Sequence, residues 1–212
     1  KECQQRGLTY AAPLRAKVWV ATSLIGASAI GAPYLVVATL LGGEITLARF
    51  STDFFGAEHI TVDALSALFL AIIAIASVAT VVYSRGYVEG YFKRFSAAHI
   101  SLHYTSLVML VVSMMLVVMS SGGFSFLFSW ELMTIASFIL ILFEADRHDV
   151  RRAALNYLVM MHIGFMFLVA GFVLLYNVTG SANFGAIECY FKVAKPLPLF
   201  VIFFIGFGMK SG

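Results

Sequence analysis

The sequence predicts an all-α fold, a polytopic bundle of transmembrane helices, and three observations carry the prediction. Hydrophobic residues make up 61 % of the chain and charged residues 12 %, where a soluble domain carries about 25 % charged residues. The apolar residues lie in long continuous runs, whereas a membrane β-barrel shows short alternating strands. Lys and Arg fall mainly in every second connection between those runs, the asymmetry that sets membrane orientation. Helices follow because lipid-exposed backbone must satisfy its own hydrogen bonds.

Six segments follow in order. The first covers about Val18–Leu41. It follows a basic stretch, but it is longer than a signal-peptide core and ends in Leu40-Leu41-Gly42-Gly43-Glu44 without a small-residue cleavage site. The second covers about Ile60–Tyr83, with Asp63 as its cap in Val62-Asp63-Ala64-Leu65-Ser66. The third is about Ser101–Ser120, the fourth Phe124–Phe143 and the fifth about Ala153–Tyr176. The sixth begins near Pro196 and is too short to span as it stands, so the chain reads as a fragment that starts without Met and stops inside a membrane segment. The mixed stretch Thr46–Ile60 reads as a short strand or hairpin, and the polar stretch from Gly171 to Phe191 as an external loop.

Ten Lys and Arg fall before the first segment, between the second and third, and between the fourth and fifth; three fall in the other connections. The positive-inside rule therefore divides the chain into a cytoplasmic stretch, residues 1–17, and a membrane domain, residues 18–212, incomplete at its C-terminus. The fourth and sixth segments then run inward. Cys3 falls inside and Cys189 outside, so the two thiols do not pair and carry no metal spacing. The modest net charge of +3, without a dense basic tract, excludes nucleic acid as a partner. No phosphate-cradling loop, metal-ligand cluster or nucleophile motif is present.

The candidate functional residues are the ionisable groups inside the apolar runs. Glu131 sits about seven residues into its segment, about 10 Å deep at ~1.5 Å per residue. Thr134 and Ser137 follow it at three-residue steps as a polar stripe. A carboxylate there is costly and marks function more often than packing. Lys210 follows a run of apolar residues and is flanked by Gly206, Gly208 and Gly212. These glycines favour an interrupted helix of the kind that lines ion sites, and the competing reading has Lys210 snorkel to the interface. His162 lies within the fifth segment, six residues after Asn156, and serves either as a proton carrier or as a hydrogen-bonded core histidine. Glu144, with Asp146 beside it, ends the fourth segment next to Arg147, Arg151 and Arg152. It is either a solvated ion-pair partner or a proton-access group. His99, His103 and His148 lie near helix ends without ligand spacing.

Three motifs carry a resemblance: Val62-Asp63-Ala64-Leu65-Ser66-Ala67-Leu68-Phe69, Phe126-Leu127-Phe128-Ser129-Trp130-Glu131-Leu132-Met133-Thr134-Ile135-Ala136-Ser137, and Gly206-Phe207-Gly208-Met209-Lys210-Ser211-Gly212. In this order they resemble the antiporter-like subunits of complex I, of membrane-bound hydrogenases such as formate hydrogenlyase, and of multi-subunit cation/proton antiporters. Trp130-Glu131-Leu132-Met133, with His162 in Met160-Met161-His162-Ile163-Gly164, is most similar to the hydrogenase type. The resemblance implies a larger fold of two inverted repeats, each with a broken helix, in the cell (inner) membrane. It implies that Glu131 and Lys210 pair and modulate proton uptake, and His162, from its place in the fifth segment, is the candidate relay. It further implies a proton-translocating subunit of a redox-driven complex, with no cofactor or redox centre of its own. The partners would be other membrane subunits, the lipid bilayer, and peripheral iron–sulfur, hydrogenase or dehydrogenase subunits. The alternatives are a subunit of a Na⁺(K⁺)/H⁺ antiporter and a non-transporting membrane scaffold.

Overall fold

In a computed structural model, residues 19, 22–27, 31–52, 56–91 and 94–211 are described. The stretch 1–17 with Cys3, and also Asp53, Lys93 and Gly212, lie outside the described residues. Among the described residues the chain is a helix bundle with one hairpin. Helix α1 is described over residues 22–27 and 31–42. The hairpin pairs β1 (Ile45–Thr52) with β2 (Gly56–Val62), antiparallel with Ile45 opposite Val62. Then come α2 (Ala64–Glu89), α3 (Ala97–Met119), α4 (Gly123–Ile141) with a 3-10 turn (Leu142–Glu144), α5 (His148–Thr179), α6 (Ala186–Val193) and α7 (Pro196–Ser211). Five of these helices are long and apolar enough to cross a membrane, and α7 is a shorter apolar helix.

Local chemistry explains the boundaries. Asp63 accepts a 2.7 Å hydrogen bond from Ser66 N and starts α2, as the sequence predicted. That bond holds the exposed Asp63 carboxyl below its ordinary range. Ser96 caps α3 through His99 N. Gly180, with φ 74°, closes α5 in the left-handed region that glycine adopts without strain. The predicted hairpin is present, with its first strand at Ile45–Thr52.

Two expectations are corrected. The region from Gly171 to Phe191 is not a loop: α5 runs on to Thr179 and α6 starts at Ala186, so only a short connection is irregular. The polar residues that suggested a loop (Asn177, Thr179) form the last turn, where Thr179 Oγ1 returns to Leu175 O at 2.8 Å. Nor is α7 interrupted at Gly206 or Gly208; it is continuous from Pro196 to Ser211. Gly206 serves packing instead. A Cβ there would lie 2.8 Å from Leu168 Cδ2, and one at Gly164 would lie 3.1 Å from Lys210 Cγ. Glycines on α5 and α7 thus form a seam that lets the two helices approach closely.

The two ends of the bundle are tied differently. At one end the hairpin, the α3–α4 turn and the α5–α6 connection are woven together. Ser121 N and Oγ donate to His59 O at 3.1 and 2.7 Å, Gly123 N donates to Ala182 O at 2.9 Å, and Asn183 Nδ2 donates to Ala57 O at 2.9 Å. These are the three connections that the charge asymmetry assigns to the outer side. At the other end Phe143 packs against Tyr91, Phe95, His99 and His103, and Arg94 meets Asp146 at 3.1 Å. One apolar core joins α1, α2 and α3 around Leu70 and Ile100; a second, rich in phenylalanine, joins α4 to α7 around Leu168 and Leu175.

Candidate functional site

Helices α4, α5 and α7 bring Glu131, His162 and Lys210 to one point. The Gly164–Gly206 seam seats the end of α7 against α5 and aims the Lys210 side chain, fully enclosed, at α4. Its Nζ lies 3.3 Å from Glu131 Oε2 and donates to Thr134 Oγ1 at 3.1 Å. The Trp130 and Phe165 rings lie against the ammonium, with centroids at 5.5 and 5.3 Å, a cation–π setting. Thr134 is held by its own bond to Trp130 O at 3.0 Å. The polar stripe is therefore real: Glu131 and Thr134 together receive one buried ammonium.

His162 approaches the other carboxylate oxygen. Its Nε2 lies 3.0 Å from Glu131 Oε1, and its Nδ1 lies 3.0 Å from Leu158 O. A carbonyl only accepts, so Nδ1 carries a proton. Nε2 then faces a carboxylate, an arrangement that is attractive only when a second proton sits on the histidine or on Glu131. The ring N–H line does not point at Oε1, and that oxygen accepts no hydrogen bond among the described residues. Glu131 is only 18 % exposed at this point. Coulomb attraction between Lys210 and Glu131 is about 5 kcal/mol at an effective dielectric of about 20, and the desolvation of both groups offsets much of it.

Glu144 does not join this group. It ends the 3-10 turn about 20 Å further along the α4 direction, accepts a hydrogen bond from Tyr91 OH, and lies 3.7 Å from Arg147. The bond to Glu144 pushes the Tyr91 phenol well above its usual range, so Tyr91 stays a donor. Asn156 is exposed. Ser137 Oγ, one turn beyond Thr134, meets Tyr157 OH at 2.7 Å and ties α4 to α5. Cys189 is free and exposed.

Sequence reasoning missed Glu58. It is fully buried under the hairpin, and its carboxylate accepts from Phe124 N at 3.3 Å, Ser125 N at 3.1 Å and Ser125 Oγ at 2.6 Å. It caps the N-terminus of the helix that carries Glu131, where backbone N–H groups lack partners. Gly122 leaves room for it; a Cβ there would collide with the Glu58 carboxylate. The one sequence sign was Gly122-Gly123 before an apolar run with no side-chain cap of its own.

Comparison with known proteins specifies the class of this multi-pass helix bundle. Residues 120–212 match the family described as NADH:quinone oxidoreductase/Mrp antiporter, transmembrane. An uncharacterized protein of Mycobacterium tuberculosis strain H37Rv is 34 % identical over 155 residues, covering 73 % of this chain and 23 % of that protein. Hydrogenase-4 component B of Escherichia coli strain K12 is 26 % identical over 182 residues, 82 % of this chain and 25 % of that one. A solved chain of respiratory complex I from Thermus thermophilus superposes with a TM-score of 0.61 at 18 % identity, over 95 % of this chain and 42 % of that chain, and so shares the fold. The chain spans about a quarter of the length of these curated relatives. It belongs to the antiporter-like membrane subunits of the complex I, hydrogenase and Mrp antiporter family, and it is a multi-pass integral membrane protein.

Proposed function

We propose that the chain forms part of a proton-translocating subunit in a redox-driven membrane complex of the hydrogenase or NADH:quinone oxidoreductase type. The carrying observation is the enclosed Lys210 ammonium, 3.3 Å from Glu131, with His162 on the second oxygen of the same carboxylate. Electron transfer in peripheral subunits, which bring the redox centres, changes the field or the helix spacing at the pair. Glu131 then loosens its hold on Lys210, the ammonium gives up its proton, and His162 or Glu131 receives it. Glu144, at the end rich in Lys and Arg, is the proton-access group on the cytoplasmic side, with residues 1–17 on that side and residues 18–212 in the membrane. Other membrane subunits lie beside it. The test is Lys210→Met in the intact protein, with proton uptake followed in sealed vesicles. Loss of translocation with normal assembly supports the reading, and wild-type translocation contradicts it.

A second reading is a subunit of a Na⁺(K⁺)/H⁺ antiporter, favoured by the Mrp antiporters within the matched family. It predicts cation-dependent proton exchange without an electron donor, which the same vesicles measure.

A further inference from the structure

We infer that the basic cavity at the N-terminal end of α5 binds the headgroup of an anionic phospholipid. The cavity has a volume of about 600 Å³ and is lined by His148, Arg151, Arg152, Leu155 and Asn156. Two neighbouring cations at this end are occupied: Arg94 pairs with Asp146 at 3.1 Å and Arg147 with Glu144 at 3.7 Å. The side chains of Arg151 and Arg152 have no ion-pair or hydrogen-bond partner among the described residues. The nearest acid in the sequence, Asp149, is almost fully exposed and turned to His148 at 4.0 Å. Two guanidinium groups without an ion-pair partner among the described residues therefore line one cavity, beside an imidazole 4.0 Å from Asp149.

The depth fits a lipid. Helix α5 has 32 residues, about 48 Å at ~1.5 Å per residue, against a hydrocarbon core of about 30 Å. About 18 Å of it extends beyond the hydrocarbon core, shared between its two ends, and Arg151 and Arg152 fall within the first turn and a half. Below them the exposed surface of α5 turns apolar, with Leu155, Val159, Met160, Ile163 and Met166 exposed in succession. Cations at headgroup depth above an apolar track match a phosphate above its acyl chains. Arg suits the role because its planar fork bonds phosphate oxygens in pairs. Asn156 sits one turn below Arg152 and offers an amide at the depth of the ester carbonyls. A soluble anion would use the arginines and ignore the track, and a zwitterionic lipid would use the track without the net attraction.

The experiment uses the intact protein, extracted in mild detergent, stripped of lipid and offered phosphatidylglycerol or phosphatidylcholine, with bound lipid counted by native mass spectrometry. The wild type is expected to retain phosphatidylglycerol preferentially. In R151Q/R152Q that retention falls about twenty-five-fold, two cations each contributing about fivefold, while phosphatidylcholine is unchanged and R151K/R152K keeps most of the preference. If the glutamine variant fails to fold, 0.5 M salt on the wild type gives the same reading, with loss of the preference expected. Equal retention of both lipids by the wild type, an undiminished preference in R151Q/R152Q or in high salt, or equal competition by the acyl-free headgroup would each overturn the proposal. Coverage of the cavity by protein appears as the first of these outcomes.

Discussion

Replacing Glu58 by Ala should unseat α4. The carboxylate accepts three hydrogen bonds, from Phe124 N, Ser125 N and Ser125 Oγ, in a fully buried position. Alanine leaves two backbone donors at a helix start without partners. Loss of a cap costs about 0.5–2 kcal/mol, and each orphaned buried donor about 1–3 kcal/mol. Relaxation and water recover part of this, so a net loss of about 3 kcal/mol is the working figure. For a chain of this size that is about 6–12 °C in melting temperature. Glu58→Gln keeps one acceptor oxygen for Ser125 but sets its NH2 against the Phe124 N–H, so it loses one hydrogen bond, about 0.5–1.5 kcal/mol, and the charge's interaction with the helix dipole, about 0.3–1 kcal/mol. The assay is thermal unfolding of the intact protein in detergent, with hydrogen exchange at Phe124 and Ser125 as the local readout. Unfolding of Glu58→Ala within 1 °C of the wild type, or unchanged exchange at those two amides, would refute the assignment of Glu58 as the seat of α4.

Other predictions follow from the same geometry. Gly206→Ala places a methyl 2.8 Å from Leu168 Cδ2 and 3.1 Å from Leu168 N. Overpacking of this kind costs about 1–3 kcal/mol, and it should slow proton uptake by moving Lys210 away from α4; Gly208→Ala, with nothing within 4 Å of its Cβ, should do neither. Asp63→Ala should cost about 1 kcal/mol through loss of the α2 cap. Because the folded Asp63 carboxyl titrates below its unfolded value near 3.9, its contribution is present above about pH 4. It disappears as the pH falls through the lower, folded value. Melting curves at pH 7 should therefore separate the variant from the wild type, and curves taken below the folded value should not.

The spans were legible because each is a long apolar run. The Asp63 cap and the Glu131–Thr134 stripe were legible as local spacing. That Lys210 meets Glu131 was an implication of resemblance, since the two lie 79 positions apart and periodicity within one helix carries nothing about its neighbour. Glu58 was illegible for a related reason. A glutamate in a polar stretch between strands reads as solvated, and its donors lie 66 and 67 positions away. The glycines of α7 suggested a broken helix because glycine lowers helix propensity. The α5 surface, with Gly164 facing Lys210, gives Gly206 its other use, close approach. The loop expected from Gly171 to Phe191 shrank to the connection between Thr179 and Ala186, because polar side chains such as Thr179 back-bond within the last helical turn.

The central claim is that Glu131 and Lys210 act as one charged unit. A double-mutant cycle on the intact protein tests it most directly, with Glu131→Gln, Lys210→Met and both together compared by thermal unfolding. Removing one partner leaves the other charge buried and uncompensated, at about 3–5 kcal/mol, whereas removing both can be nearly neutral. The account predicts a double variant more stable than Glu131→Gln alone, with a coupling energy of about 2–3 kcal/mol. Additive losses, with a coupling energy near zero, would contradict it.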